Sequence, residues 1–197
     1  MGEDKRIVIA AEDILSIEVA KKLLEENGHF IVINERNTQG SGDLKKNIRA
    51  YHKMAYHGIL SIVITDLDKG NCAPELIHDW LGMEPHIKFL FRVAVKEIEA
   101  WLLADRKGIA KFLGVRINKI THYPEELDDP KLELINLARS GKKLIKEELI
   151  PSQGSTAQIG EGYNATLTKF IHSFWNTDRA RECSRSLCRT IKKIECL

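Results

Sequence analysis

Residues 59–70 read ILSIVITDLDKG, and no other stretch restricts the fold of this chain as much. An apolar, β-branched run that stops at a turn signal is a strand covered on both faces, as in a parallel sheet. Open parallel sheets bind their ligands beyond the carboxyl ends of the strands. The run ends in Asp66-Leu67-Asp68, so the strand delivers two carboxylates to that edge. Residues two apart on an extended chain face the same side, about 6–7 Å apart at Cα. Asp66 and Asp68 are therefore expected to face one hard cation while Leu67 turns into the core. All-oxygen ligation suits Mg2+ or Mn2+. The other reading of the same aspartates is a turn and a helix cap, where Asp is common.

The rest of the chain supplies neighbours for this strand. Arg6–Ala11 reads as a first strand and stops at Glu12-Asp13. Apolar residues at helical spacing fill Ile14–Asn27, and Asn27-Gly28 ends that helix. Phe30–Ile33 is a second apolar run. It leads into a polar loop, Asn37–Gly42, and Asp43 is placed to cap a helix from Leu44 to about Tyr56. After the central strand comes a turn at Asn71–Pro74, with Pro74 in the first turn of a helix running to Leu81. Ile87–Val95 reads as a fourth strand. This alternation predicts an α/β fold with a mostly parallel, Rossmann-like four-stranded sheet flanked by helices. Lys96–Phe112 reads as one or two helices, and no further strand is readable beyond it. The expected organisation is an α/β core over 1–113 and a mostly helical C-terminal extension over 114–197.

Glu12 follows the first strand. If the first and third strands are neighbours, the sheet sets it beside Asp66 and Asp68. Three carboxylates around one point repel strongly unless a cation neutralises them. Asp13 reads as a helix cap, and Glu18 as a solvated face residue. Glu97 and Glu99 follow the fourth strand at the start of a helix, where a metal role and a favourable macrodipole are both open readings. Asp105 is a further acidic candidate on the same segment, and Trp101 to Leu103 read as core. Gly40-Ser41-Gly42 precedes Lys45, Lys46 and Arg49 but lacks the spacing of a nucleotide-binding P-loop. Arg181, Arg185 and Arg189 recur every four residues, which on one helix makes a basic stripe. That stripe reads either as a nucleic-acid contact or as a solvated face. His52, His57 and His78 have no ligand spacing and receive no role.

Composition limits the partners. The net charge of +2 creates no global field that demands nucleic acid, so any such surface must come from local clustering. The four cysteines, Cys72, Cys183, Cys188 and Cys196, form no CxxC pair. That argues against a zinc knuckle and fits reduced thiols in a cytoplasm. The run Ile7–Ala11 is too short for a signal peptide. No stretch approaches the roughly 20 apolar residues of a membrane span.

The placement of Glu12 after a first strand and Asp66-x-Asp68 after a third resembles the Toprim fold of topoisomerases, bacterial primases and overcoming-lysogenization-defect nucleases. More closely, the chain resembles the Toprim-like family known as domain of unknown function 4276, related to the RloB-like proteins. The stretches that carry the resemblance are EDILSIEVAKKLL, VITDLDKGNCAPELIHDWL, FRVAVKEIEAWLLAD, GYNATLTKFIHSFWN and SRSLCR, which are distributed over nearly the whole length of the chain, from Glu12 to Arg189. The resemblance implies phosphodiester chemistry that depends on Mg2+ or Mn2+. Glu12 would act as general acid or base or join the metal site, Asp66 and Asp68 would hold the metal, and Glu97 or Glu99 would bind or orient a second one. Toprim proteins often place glycine after the glutamate; here it is Asp13. Relatives are often encoded beside an ATPase and linked to phage defence, which implies an ATPase partner, with oligomer formation left open.

The expectation is thus a metal-dependent nuclease, with DNA favoured over RNA as the nucleic acid. Two alternatives stand beside it. An apolar strand ending in DLDKG also resembles the first motif of haloacid-dehalogenase phosphatases, although the later pair Asp128-Asp129 follows no readable strand. The third reading is a non-catalytic subunit that binds nucleic acid or a partner.

Overall fold

The structure, a computed structural model, describes residues 5–68, 70 and 72–197. Lys69 of the DLDKG motif and Asn71 of the expected turn lie outside the described residues. Two compact units emerge. One holds the residues up to Val95 together with Cys188–Leu197, and the other runs from Lys96 to Leu187.

The first unit is built on a four-stranded, all-parallel sheet in the order β2-β1-β3-β4. The strands are β1 (Lys5–Ala11), β2 (Phe30–Asn37), β3 (Leu60–Asp66) and β4 (Phe89–Ala94). Ile7–Ala11 of β1 and Leu60–Thr65 of β3 are buried along their length, as central strands covered on both faces must be. From β1 the chain steps outward to β2, then returns past β1 to reach β3. Parallel crossovers are right-handed, so this reversal sends the connecting helices to opposite faces. Helix α1 (Ile14–Asn27) packs on one face. Helices α2 (Ser41–Tyr56) and α3 (Ala73–Leu81) cover the other through Leu44, Ile48, Tyr51 and Leu81, against Val8, Ala10, Val63, Phe89 and Phe91.

Local differences from the sequence reading have local causes. Strand β2 runs on through the polar residues 34–37 because Asn34 to Asn37 pair with Val8 to Ala11 of β1. Backbone pairing sustains a strand there without apolar side chains. Helix α2 starts at Ser41 with Gly40 at its N-cap, where φ is 132°. Asp43 then falls in the first turn and pairs with Lys46 at 2.9 Å instead of capping. Strand β4 is shorter than expected and excludes the exposed Ile87.

The second unit is helical: α4 (Ile98–Ala104), α5 (Arg106–Leu113), α6 (Pro130–Arg139), α7 (Lys143–Leu149), α8 (Tyr163–Ser173) and α9 (Thr177–Cys183). Helix α10 (Arg185–Glu195) begins in this unit and ends in the first. The sequence reading drew its line after residue 113, whereas the compact units separate after Val95. Helix α4 accounts for the difference. Every one of its residues is buried, it packs against α6 and α9, and the indole of Trp101 donates to Ser186 Oγ at 2.7 Å. Trp101, Leu102 and Leu103 are core, as expected.

Asp105 stands between α4 and α5 and is fully buried. Its carboxylate caps α5 by accepting from the Gly108 N–H at 3.0 Å and also takes the Asn176 N–H at 2.9 Å. Arg179 donates to both of its oxygens, at 2.7 and 2.6 Å. These bonds absorb the acid's acceptor capacity, so its role is to join segments of the helical unit. Asp105→Ala should destabilise the protein by about 3 kcal/mol, the scale for a buried charge pair losing one partner. Arg179→Ala should cost at least as much, because it leaves the fully buried Asp105 carboxylate without its counter-ion, whereas the 40% exposed Arg179 side chain can turn to water when Asp105 is removed. Urea denaturation of both variants checks the order.

Candidate functional site

The strand order reverses between β1 and β3, and open α/β folds bind ligands beyond the carboxyl ends of the strands at such a reversal. Glu12 leaves β1 at that point. Its neighbour Asp13 caps α1, accepting from the Ser16 N–H at 2.9 Å and from the Ser16 hydroxyl at 3.0 Å, as the sequence suggested. Ala11 is in register with Ile64, so the next position faces Thr65. The Thr65 hydroxyl donates to Glu12 Oε1, and the Asp66 N–H donates to the same oxygen at 3.2 Å. Glu12 Oε2 has no hydrogen-bond partner among the described residues.

On β3 the ladder continues one residue past the strand, because the Leu67 N–H donates to the Ala94 carbonyl at 2.9 Å. Leu67 is buried, as expected. Alternation stops there. Asp68 adopts a left-handed conformation, φ 49°, which Asp tolerates better than most residues. The Gly70 N–H closes the turn on the Leu67 carbonyl at 2.8 Å. A Cβ at Gly70 would lie 2.9 Å from that carbonyl oxygen, so the turn requires glycine. Asp66 is thus half-buried at the strand end and Asp68 exposed on the turn. The expected side-by-side pair of an extended segment is replaced by a carboxylate on the ladder and one on the turn. The polar loop after β2 is fastened to the same edge, since Thr38 N–H donates to the Ala11 carbonyl and Gly40 N–H to the Glu12 carbonyl, both at 3.0 Å.

Burial pushes the Glu12 carboxyl above its ordinary range. The negative charges of Asp68 and Asp13 push the same way, while the Thr65 hydroxyl and Asp66 N–H pull it down. Among the described residues no group of three or more His, Cys, Asp and Glu side chains is assembled to hold a metal ion. The oxygen donors of Glu12, Asp66 and Asp68 nonetheless suit a hard cation. Mg2+ keeps several waters and needs only one or two protein carboxylates.

Glu97 and Glu99 belong to the helical unit. The Lys131 N–H donates to Glu97 Oε2 at 3.0 Å, and the Lys131 ammonium stands 3.7 Å from an oxygen of each glutamate. Glu99 is 1% exposed and accepts from the Tyr163 hydroxyl at 2.9 Å. Its Oε2 is buried without a hydrogen-bond partner. Burial raises its carboxyl to about 7, with the Glu97 charge adding to the effect and Lys131 and Tyr163 opposing it. Thr65, Lys131 and Tyr163 were not singled out in the sequence reading. Position alone marked Thr65, one residue before Asp66. Tyr163 lies within a stretch quoted for the family resemblance, and nothing local marked Lys131.

The basic stripe requires correction. Arg181 lies on α9 and Arg185 and Arg189 on α10, so the three do not share a helix. Ser184 between them is extended and caps α10, its Oγ accepting from the Leu187 N–H at 3.1 Å. Arg181 pairs with Asp178 at 3.9 Å. Of the pair a phosphatase reading invokes, Asp129 caps α6 by accepting from the Leu132 N–H at 2.7 Å.

No protein-family model matches the chain, and neither does any curated protein or solved structure. Fold and site together define a doubly wound α/β protein whose switch point carries acidic side chains. Among the described residues no helix is long and apolar enough to cross a membrane.

The buried acid of the helical unit yields a pH prediction. Folded Glu99 holds its proton up to about pH 7, against an ordinary value of 4.5. Between those values the unfolded chain has released the proton while the folded chain keeps it. Stability is therefore full below the lower value and falls as pH rises toward the higher one, by at most about 1.4 kcal/mol per pH unit. Urea denaturation across this window should show that decline in the natural protein and a flatter profile in Glu99→Gln.

Proposed function

We propose that this protein is a metal-dependent phosphodiesterase of the Toprim class that cuts nucleic acid. The observation that carries the reading is the meeting of Glu12 with the Thr65-Asp66 segment at the β1/β3 switch point, with the Asp68 charge close enough to raise the Glu12 carboxyl. The motif resemblance points the same way.

In this reading Asp66 and Asp68 hold Mg2+ or Mn2+. A bound divalent ion supplies Lewis-acid stabilisation of the phosphoryl and leaving oxygens. Glu12 does the proton work. Thr65 and Asp66 anchor Oε1, which orients the carboxylate and leaves Oε2 to exchange a proton with water or the leaving oxygen. A raised carboxyl improves an acid or base working near neutral pH. Glu97 and Glu99 were implied as ligands of a second metal. Lys131 already supplies a cation 3.7 Å from each, so we assign the metal to the sheet and give Glu97 and Glu99 a separate acid–base role in the helical unit.

The nucleic acid, with DNA favoured, and an ATPase partner acting in phage defence belong to the same proposal. A cytoplasmic setting accords with four free cysteines.

The test is cleavage of supercoiled plasmid, linear DNA and RNA with Mg2+, Mn2+ or EDTA. Cutting should require metal. Glu12→Gln and Asp66→Asn should each lower the rate by about 10²-fold or more, with unchanged circular dichroism. Cutting that persists in both variants overturns the site. A natural protein that binds nucleic acid without cutting favours the non-catalytic reading.

A further inference from the structure

Two arginines of the sheet unit stand together, and among the described residues no carboxylate is paired to either. Arg92 sits on β4, the strand at the edge of the sheet. It alternates with Phe91 and Val93 and is half-buried. Its Nε donates to Thr190 Oγ1 of α10 at 3.2 Å. Arg189, one residue earlier on α10, lies close enough for its charge to act on Arg92. Among the described residues neither guanidinium forms an ion pair. Desolvation first and Arg189 second push the Arg92 guanidinium below its ordinary value, yet an arginine stays charged at neutral pH.

Half-buried Arg92, beside the charge of the exposed Arg189, loses water without gaining a counter-ion, and an anion between the two would offset that cost. The space for one is present. A cavity of about 380 Å3 is lined by Arg92, Arg189, His78, Glu84 and the start of α3 at Ala73 and Pro74. The start of helix α3, which has no side-chain cap and carries Glu75 in its first turn, forms part of the same wall. Glu84 is exposed and ion-pairs with neither arginine. Guanidinium groups match the geometry of phosphate oxygens through paired N–H donors.

The geometry points to a phosphate-binding site at Arg92 and Arg189 on the β4 edge. The site lies near the carboxyl end of the sheet: Arg92 is in register with Ile64, two residues before the Asp66–Ala94 pair, about 6–7 Å along the strand. Phosphate binding here does not depend on metal chemistry. Only the identification of the ligand as the phosphate next to the one being cut rests on the nuclease reading.

The experiment uses the full chain in EDTA, so a failure of cleavage cannot be confused with a failure of binding. Melting temperature is followed against inorganic phosphate, with chloride at matched ionic strength as control. Anisotropy of a labelled single-stranded oligonucleotide is followed in parallel. Phosphate should raise the melting temperature of the natural protein, because a ligand of the native state alone stabilises it. Arg189→Gln should weaken phosphate binding about ten-fold or more and lower the salt dependence of oligonucleotide binding by about one unit. Arg92→Met should remove the phosphate response and raise the melting temperature without phosphate, since it deletes an unpaired, partly buried cation. If oligonucleotide binding weakens together with phosphate binding, the site serves a polynucleotide backbone. If only phosphate binding weakens, it serves a small phosphorylated compound. Both results support the site. A phosphate response unchanged in both variants overturns it, and so does Arg92→Met that melts earlier and still responds to phosphate.

Discussion

The pairing of β1 with β3 is the constraint on which the candidate site depends. Ala11 opposite Ile64 is a backbone relation, fixed by the apolar faces of both strands. Strand side chains alternate, so a slip of one residue would move every side chain to the opposite face and break its packing against the covering helices. The core therefore sets the register, and the register sets Glu12 against Thr65. Once there, the carboxylate meets a buried hydroxyl and the first backbone N–H of the Asp66 segment. A site residue is positioned here by packing energy stored elsewhere in the sheet.

The buried and half-buried charges among the described residues are answered to different degrees, and the difference marks which of them keep capacity for a ligand or a proton. Asp105 is saturated by Arg179 and two backbone donors. Glu125 is likewise saturated by Ser184, Arg185 and Ser186, which tie it to the start of α10. Such groups hold segments together and have no capacity left for a ligand. Glu12 is only partly answered, with both donors on one oxygen. Glu99 has one hydroxyl and a distant ammonium for a fully buried carboxyl, and its proton makes up the difference. Arg92 has a single hydroxyl acceptor. Incomplete neutralisation is a better guide to function than burial alone.

What the sequence made legible follows from the range of the interactions involved. β3 and its terminal aspartates could be read because an apolar β-branched run and a turn signal are both local. The same holds for α1, with Asp13 as its cap. The polar end of β2 escaped because its partner is β1, which lies far off in the sequence. The four-residue recurrence of Arg181, Arg185 and Arg189 suggested one helix. Ser184 interrupts it, and the Ser184 hydroxyl donates to Glu125 Oε1 at 2.6 Å from a distant part of the helical unit. Lys131 and Tyr163 reach Glu99 through tertiary structure that no local pattern announces. The acids were therefore found by type and position, and their partners were not.

The turn at Asp68 shows why a motif's spacing does not fix its geometry. In an extended segment the two aspartates would be equivalent, as alternate residues on one side. The left-handed φ of Asp68 and the bond from Gly70 N–H to the Leu67 carbonyl break that equivalence. Asp66 stays on the ladder, where its own N–H anchors Glu12 and its side chain is half-buried. Asp68 projects from the turn into solvent, where reorienting its side chain costs little. Mg2+ keeps several waters and takes only one or two protein carboxylates. Under the metal-site proposal the pair would supply one ligand on the ladder and one on the turn, and the glycine that the turn demands is what keeps them different.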